Sequence, residues 1–148
     1  MEIAILGLGC FWGPEIKFSK LDGVIKTEVG YCGGNSSEIT YKEVCTGTTN
    51  HAEVVKLDFD PKIISYEEIL KYFFKIHDPT TLNSQGPDFG TQYRSEIFYE
   101  NEIQKKEALE IFEEYNKKHD GKVQTNISKI KNYCRAEEYH QKYIEKNR

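Results

Sequence analysis

The sequence predicts an α+β fold, a two-layer sandwich in which helices cover a mixed sheet built around a ferredoxin-like split β-α-β core. Segments with the spacing of strands alternate with segments at helical spacing, in the approximate order β-α-β-β-α-β-α-β-α. A β-α-β-β-α-β start is typical of split β-α-β folds. The 148 residues contain no internal repeat or linker, which predicts a single domain over residues 1–148.

The first predicted elements are a strand and a helix that are joined by a tight turn. Residues 2–8 form a nearly unbroken apolar run, typical of a buried strand, and Gly7 and Gly9 permit the turn after it. Because proline is tolerated only in the first turn of a helix, Pro14 predicts a helix from about 13 to 21.

Two strands with alternating side chains are predicted next. The first covers residues 24–31 and is followed by a polar, glycine-rich loop over 33–37. The second covers residues 52–59 and ends before a proline. In the first of these strands, one parity carries the apolar residues Ile25, Val29 and Tyr31.

A capping box predicts the start of the next helix. Ser65 and Glu68 have the S-x-x-E spacing that satisfies the first backbone N–H groups of a helix. The helix ends before Asp78-Pro79, because the residue that precedes a proline disfavours helical backbone. One helix face then carries four large apolar residues, Tyr66, Ile69, Leu70 and Phe73.

The second half of the chain is predicted to contain a long loop and four more elements. Residues 79–93 form the loop, and a loop of this length inside a compact domain is often functional. A strand over 94–99 and an amphipathic helix over 102–118 follow, then a short strand over 123–127 and a last helix over 136–145.

Composition and charge exclude several classes of function. The formal net charge of −4 gives no basic patch for nucleic acid. No segment has the length of a membrane span and the N-terminus lacks an export signal, so we expect a soluble, cytoplasmic protein that binds no membrane. The four cysteines form no C-x-x-C pair, so no metal site is expected, and a disulfide framework is not expected in a cytosolic chain of this size.

Cys10 is the first candidate for catalysis, because it lies at the predicted start of a helix. Backbone N–H groups at a helix start stabilise a thiolate, which favours a nucleophilic cysteine. The alternative is a small buried thiol at a crowded turn. Phe11 and Trp12 follow directly and have two interpretations, a pocket for a methyl or thioether group or simple packing of the helix start.

Glu53 is the second candidate. On the strand 52–59 its parity matches the apolar residues Val55, Leu57 and Phe59. A carboxyl group on a buried face has a raised pKa, which suits a proton donor. The alternative is a solvated residue at the strand end. For the neighbouring His51, a structural role is favoured over that of a second base.

Several short motifs, spread over nearly the whole chain, together resemble the peptide methionine sulfoxide reductase A family. They are Gly9-Cys10-Phe11-Trp12-Gly13, Gly30-Tyr31-Cys32-Gly33-Gly34, Thr40-Tyr41 with Val44-Cys45-x-Gly47, Asn50-His51-Ala52-Glu53, Asp78-Pro79-Thr80, Gln85-Gly86-x-Asp88-x-Gly90-x-Gln92-Tyr93-Arg94-Ser95 and Ala136-Glu137-x-Tyr139-His140-Gln141.

The resemblance implies an enzyme that reduces methionine S-sulfoxide, free or in protein, and thereby repairs oxidative damage. It implies that the Cys10 thiolate attacks the sulfoxide sulfur while Glu53 protonates the oxygen, leaving methionine and a sulfenic acid on Cys10. The other implied roles are substrate contacts: Tyr41 and Tyr93 bind the oxygen, Phe11 and Trp12 enclose the methyl group, and Asp88 anchors the substrate amide.

The resemblance does not settle how Cys10 is regenerated. Many relatives have resolving cysteines in a tail after the Tyr-His-Gln motif, and this sequence has no cysteine there. Cys32 and Cys134 are the candidate resolving thiols, whereas Cys45 is interpreted as structural. We favour a one-cysteine enzyme without a bound cofactor, which thioredoxin, glutaredoxin or a small thiol reduces directly.

Two other functions remain open from the sequence. A different thiol enzyme, such as a peroxidase or a thiol hydrolase, would also need an activated cysteine. A non-catalytic module that binds oxidised methionine would be expected to lack Cys10 or Glu53, and both are present.

Overall fold

The computed structural model describes residues 1–147, and their secondary structure follows the predicted order closely. The strands are β1 (Glu2–Leu8), β2 (Val24–Cys32), β3 (Ala52–Phe59), β4 (Ser84–Gln85), β5 (Asp88–Phe89), β6 (Ser95–Tyr99), β7 (Asn126–Lys129) and β8 (Cys134–Arg135). The α-helices are α1 (Trp12–Ser19), α2 (Tyr41–Val44), α3 (Tyr66–Lys75), α4 (Glu102–Lys118) and α5 (Tyr143–Lys146). Single 3₁₀ turns cover Thr91–Tyr93 and Glu138–His140.

The main sheet confirms the predicted split β-α-β core. Its strand order is β7-β6-β1-β3-β2-β8. Strand β3 lies between β1 and β2 and is antiparallel to both, so β1-α1-β2 is a β-α-β unit with one strand inserted. Strand β1 likewise lies between β3 and β6 and is antiparallel to both. The sheet is mixed because β7 pairs with β6 in parallel.

Helices cover one face of the sheet, and the main apolar core lies between the two layers. Side chains of one parity on β1 and β3, such as Leu6 and Leu57, pack there against Phe18 of α1 and Ile69 of α3. A smaller cluster on the opposite face contains Ile5, Cys32, Ala52, Val54 and Phe98. The two sides of each strand therefore meet different environments.

The capping box and the apolar face of α3 are confirmed. The Ser65 hydroxyl accepts a hydrogen bond from the Glu68 backbone N–H, and the Glu68 carboxylate accepts one from the Ser65 backbone N–H. These bonds satisfy two of the N–H groups that a helix start leaves free. The four residues predicted for the inner face, Tyr66, Ile69, Leu70 and Phe73, are all buried.

Ile25 does not share the buried face of Val29 and Tyr31, although the three have the same parity in the sequence. Its side chain is 60% exposed, whereas Val29 and Tyr31 are buried. The pairing of β2 with β3 shifts register between Val24 and Lys26, so Ile25 is the extra residue of a β-bulge. A bulge reverses the alternation on one side of it, which is why a constant parity fails here.

The last predicted helix, residues 136–145, is also wrong as a continuous element. A 3₁₀ turn and α5 are separated by Lys142, whose φ of 51° is left-handed. The buried Gln141 amide explains the break, because it bonds the backbone of Val29 on β2. The Lys142 N–H is also held, by the Glu15 carboxylate at 2.6 Å. These contacts with distant elements outweigh the helical pattern.

Three smaller differences concern the loops and edges. Residues 79–93, predicted as a loop, contain the small β4-β5 hairpin and a 3₁₀ turn. The strand predicted over 123–127 lies at Asn126–Lys129, and neither α2 nor β8 was predicted.

Within residues 1–147, no helix is long and apolar enough to cross a membrane.

Candidate active site

Cys10 lies in the tight turn between β1 and α1. Its side chain is half-buried. Gly9 has a φ of 97°, and a Cβ atom at that position would lie 2.8 Å from the Gln85 side chain. The turn therefore requires glycine, both for its left-handed backbone and for the close approach of the loop that carries the β4-β5 hairpin.

The pKa of Cys10 corrects the expectation of a thiolate stabilised at the helix start. Burial raises this pKa to about 11. The Trp12 backbone N–H lowers it, in the direction expected of a helix start, but the charges of Glu53 and Asp88 add to the effect of burial. Cys10 is therefore a protonated thiol near pH 7 in the free protein.

Glu53 is buried as its parity predicted, with 1% of its surface exposed. Its Oε1 accepts a hydrogen bond of 3.3 Å from the backbone N–H of Phe11, which places the carboxyl group beside the Cys10 turn. Its buried Oε2 has no hydrogen-bond partner among the described residues. Burial raises the pKa of Glu53 to about 8, so the carboxyl group is mostly protonated at pH 7.

Tyr41 and Tyr93 lie near this carboxyl group on two separate elements. Tyr41 is the first residue of α2, and Tyr93 is the last of the 3₁₀ turn over 91–93. Hydrogen bonding to the Cys45 thiol, and then burial, raise the pKa of Tyr41. Burial, followed by the charge of Glu53, raises the pKa of Tyr93. Both side chains are therefore neutral hydroxyl donors.

The helix that carries Tyr41 has a capping box that the sequence prediction missed. The Thr40 hydroxyl accepts from the Glu43 backbone N–H, and the Glu43 carboxylate accepts from the Thr40 backbone N–H. This T-x-x-E signal was available in the sequence, but a helix of four residues leaves no apolar periodicity to accompany it.

The aromatic walls are built from both ends of the chain. Phe11 is buried and Trp12 is half-buried, and the Trp12 ring stacks on Tyr143 with ring centroids 3.8 Å apart. Trp12 Nε1 also donates a hydrogen bond of 3.0 Å to His140 Nδ1. The His140 ring in turn contacts Phe11 and Tyr41, with centroids 5.2 and 4.6 Å away.

His140 is a site residue that the sequence prediction missed. It is buried, burial lowers its pKa, and its Nε2 has no partner among the described residues. Because Nδ1 accepts the Trp12 N–H, the proton of the neutral ring is on Nε2. The only sequence sign was its place in the Tyr139-His140-Gln141 motif.

Asp88 stands on the β4-β5 hairpin at the edge of the same site. Its charge raises the pKa of Cys10, of Glu53 and of Tyr93, which lie around it. The hairpin is fixed by the Gln85 amide, which bonds both the backbone N–H and the carbonyl of Asp78 at 2.8 and 2.7 Å.

Glu137 connects Tyr41 to the sheet and was also missed. One carboxylate oxygen accepts from the Tyr31 hydroxyl at 2.8 Å, and the other accepts from the Tyr41 backbone N–H at 2.9 Å. Tyr31 is paired with Glu53 across β2 and β3. Glu137 therefore joins the start of α2 to the strand next to Glu53.

The two candidate resolving cysteines lie in different environments. Cys32 pairs with Ala52, next to the pair of Tyr31 with Glu53, so its side chain points to the opposite face of the sheet from Glu53. Cys134 pairs with Tyr31 and is therefore on the same face as Glu53, at the edge strand β8. Cys45 ends α2 and is exposed.

His51 has the structural environment that the sequence analysis favoured. Its buried ring fills the space beside Gly34, where a Cβ atom would overlap it. Its Nε2 bonds the Ser36 carbonyl at 2.7 Å.

Among residues 1–147 there is no group of three or more acidic, histidine or cysteine side chains suited to a metal ion.

The fold and this cluster together define a thiol oxidoreductase of α+β type. Its cysteine turn lies beside a largely protonated carboxyl group, and two aromatic residues follow the cysteine directly in the chain. The chain belongs to the peptide methionine sulfoxide reductase family, whose model matches residues 2–148. It is therefore an enzyme that reduces methionine sulfoxide to methionine, in repair of oxidised protein.

Individual relatives agree with this assignment. The chain is 75% identical over 146 residues to a peptide methionine sulfoxide reductase MsrA of Pelagibacter ubique, and the match covers 99% of both chains. The crystal structure of Mxr1 from Saccharomyces cerevisiae in reduced form is similar with a TM-score of 0.95, 45% identity and coverage of 99% of this chain and 85% of that one. Mxr1 in complex with Trx2 has a TM-score of 0.69, 30% identity and coverage of 96% and 84%.

Proposed function

We propose that Cys10 attacks the sulfur of methionine S-sulfoxide while Glu53 supplies the proton that the oxygen needs. The observation that carries this proposal is the carboxyl group itself, which is buried, largely protonated at pH 7 and has one oxygen without a partner among the described residues. A sulfoxide oxygen in the pocket would occupy that unsatisfied position as a hydrogen-bond acceptor.

Substrate binding would use the walls of the pocket. The substrate methyl group packs against Phe11 and Trp12, whose rings are held by His140 and Tyr143. The oxygen points to Glu53 and to the hydroxyls of Tyr41 and Tyr93, and the Asp88 carboxylate accepts the substrate backbone N–H. Since the methyl group and the oxygen of the substrate are held on different sides of the sulfur, one epimer is favoured. We assign it as the S epimer.

The reaction then needs only one proton relay. As the Cys10 sulfur bonds to the substrate sulfur, Glu53 gives its proton to the oxygen and accepts the thiol proton of Cys10. Donation from Tyr41 and Tyr93 stabilises the oxygen as charge develops. The oxygen is then transferred from the substrate sulfur to the Cys10 sulfur: the S–O and S–S bonds of the adduct break, a new S–O bond forms on Cys10, methionine leaves, and Cys10 becomes a sulfenic acid. Two electrons thus pass from the Cys10 sulfur, which is oxidised, to the substrate sulfur, which is reduced.

The raised pKa of Cys10 fits this order of events. A resting thiol with a pKa of about 11 is protected from general oxidation at pH 7. Loss of its proton to Glu53 is coupled to protonation of the substrate, so nucleophile and acid are activated together. This differs from an enzyme with a permanently ionised cysteine.

A thiol hydrolase is disfavoured by the two nearby histidines. His51 is bonded to the Ser36 carbonyl, and His140 Nδ1 accepts from Trp12. His140 Nε2 therefore carries the proton, and neither ring is placed as the general base of a cysteine hydrolase.

The reductant that we propose is a dithiol protein of the thioredoxin class, with glutaredoxin or a small thiol as weaker substitutes. The complex of the yeast relative Mxr1 with Trx2 supports this choice. We propose both free and protein-bound methionine sulfoxide as substrates. The need for a thiol reductant suits the cytoplasm, which we propose as the location.

Single-turnover assays test the proposal. Without reductant, the wild-type protein should form about one methionine per enzyme from methionine S-sulfoxide, and none from the R epimer. Cys10→Ser should form none. Methionine production by Cys10→Ser, or a preference for the R epimer, would overturn the proposed mechanism.

A further inference from the structure

We propose that Cys45 is the resolving cysteine of this chain and forms a disulfide with Cys10 after each turnover. This inference rests on the proposed function, because it needs a sulfenic acid on Cys10. It differs from the sequence-based expectation, in which Cys45 was structural and Cys32, Cys134 or an external thiol acted on Cys10.

The position of Cys45 follows from the single turn of α2. Its backbone N–H bonds the Tyr41 carbonyl at 2.9 Å, and its φ of −65° and ψ of −16° continue the helix. Residues four apart on a helix share a face, with Cβ atoms about 5–6 Å apart. The Cys45 side chain therefore lies on the same side of α2 as Tyr41.

That side faces the active site. The Tyr41 ring contacts His140, and His140 contacts Phe11, which directly follows Cys10 in the chain. His140 Nε2 is a buried polar atom without a partner among the described residues. The chain of contacts thus runs from the Cys45 helix to the residue next to the nucleophile.

The Cys45 thiol also affects the pKa values of Tyr41 and Tyr93, the two tyrosines that we propose to bind the oxygen. Its hydrogen bond is the largest cause of the raised pKa of Tyr41, and its charge contributes to the raised pKa of Tyr93. The charge of Glu53 acts on the same two hydroxyls. Cys45 and Glu53 therefore border the same group of hydroxyls.

Cys32 and Cys134 are parts of strands, and the thiols of both are directed at backbone carbonyls. Cys32 is buried on the opposite face and donates to the Lys131 carbonyl. Cys134 is two strands away from Glu53, about 10 Å across the sheet, with Tyr31 in between. Its thiol is directed at backbone carbonyls, including that of Ile39 at 3.6 Å.

The segment that carries Cys45 is short and lies outside the strands of the main sheet. A disulfide needs Cα atoms within about 7 Å of each other. Helix α2 has only four residues, and the loop after it contains the left-handed residues Gly47 and Asn50. Moving this short segment leaves the pairing of β3 intact, whereas Cys32 and Cys134 are themselves parts of strands.

The resolving step balances without any further reagent. The Cys45 sulfur attacks the sulfenic sulfur of Cys10, the S–O bond breaks, and the oxygen leaves as water with the Cys45 thiol proton and its own. The reductant then attacks the disulfide. Cys45 is exposed and Cys10 is half-buried, so an external dithiol meets the Cys45 sulfur first and releases Cys10.

Thiol counting and peptide mapping after one turnover test this proposal. The wild-type protein, oxidised by methionine S-sulfoxide without reductant, should form one methionine, lose two of its four thiols, and yield a Cys10–Cys45 peptide. Cys45→Ser should still form methionine but lose a single thiol, leaving a sulfenic acid on Cys10 that dimedone labels. Its turnover with thioredoxin should fall by on the order of tenfold.

Cys134→Ser is the matched control and should behave as the wild type in all three measurements. A Cys10–Cys134 or Cys10–Cys32 peptide, or a wild-type protein that loses one thiol and reacts with dimedone, would overturn the role of Cys45. These results differ from failure of the proposed function, in which the wild-type protein forms no methionine or Cys10→Ser still does.

Discussion

Trp12 Nε1 donates its hydrogen bond to His140 Nδ1, and this contact fixes both the orientation of the indole ring and the tautomer of a buried histidine. The two residues come from α1 and from the 3₁₀ turn near the C-terminus. The bond orients the indole ring that is expected to hold the substrate methyl group, and it leaves the His140 Nε2–H directed into the protein.

Replacement of His140 by phenylalanine should weaken substrate binding. The ring volume is kept, but the Trp12 indole loses its acceptor, at a cost of about 1 kcal/mol or roughly a fivefold higher KM. Steady-state kinetics with methionine S-sulfoxide measure this effect. Tyr139→Phe, at the exposed neighbour, is the control. An unchanged KM in His140→Phe would argue against the wall that we describe.

Activity should fall as the pH rises through about 8, because the reaction needs the protonated form of Glu53. Burial raises the pKa of this group to about 8, so the acid is present below that pH and lost above it. Glu53→Gln should lower the rate of the first turnover by on the order of 10²-fold and abolish this pH dependence. Rapid-quench measurements from pH 6 to pH 9 give both results; a rate that increases over this range would contradict the assignment.

The same residue predicts a pH dependence of stability. The folded-state pKa of about 8 exceeds the ordinary value of 4.5, so the folded protein retains a proton that the unfolded chain releases. The contribution of this group to the free energy of unfolding is complete below about pH 4.5, and it decreases as the pH rises to about 8. Glu53→Gln should therefore raise Tm relative to the wild type more at pH 9 than at pH 5, as calorimetry can measure.

Glu113→Gln, which changes an exposed carboxyl group on α4, is the control for that experiment and should not alter the difference between the two pH values. A change in Tm of the same size at both pH values would show that the pKa of Glu53 is not raised in the folded state.

Glu137→Gln should reduce kcat through the position of Tyr41. The carboxylate accepts from both the Tyr31 hydroxyl and the Tyr41 backbone N–H, and an amide keeps only one oxygen for these two donors. We expect a loss of about 1–3 kcal/mol in stability and a kcat lowered by on the order of tenfold. Unfolding curves and steady-state kinetics are the measurements.

Glu138→Gln provides the comparison, since that exposed side chain forms a surface ion pair with Arg135 and should have little effect. A Glu137→Gln protein with wild-type kcat would show that α2 keeps its position without the carboxylate.

The burial of Glu53 and the place of Cys10 could be predicted because both depend on local patterns. Strand periodicity puts Glu53 among apolar side chains, and Pro14 fixes the helix start next to Cys10. The pKa of Cys10 could not be predicted in the same way. Its largest determinants are burial and the carboxyl groups of Glu53 and Asp88, which folding brings from distant parts of the chain.

The contributions of Glu137 and His140 were missed for a related reason. Both lie in a segment whose spacing predicts one helix, and that prediction gives no reason for either side chain to point at the active site. The backbone path of this segment is set by the hydrogen bond of the Gln141 side chain to Val29 on β2 and by that of the Lys142 N–H to Glu15. These are tertiary interactions without a periodic signature in the sequence.

The contact of Trp12 with His140 joins residues 128 positions apart, and this separation has a consequence for synthesis in the cell. At about 5–20 residues per second, the ribosome makes Cys10 roughly 6 to 26 s before it makes His140. The nascent chain thus carries a reactive thiol well before its pocket can close around a substrate. We expect partly synthesised chains to be inactive, and proteolytic loss of the final residues to silence the enzyme while its sheet stays folded.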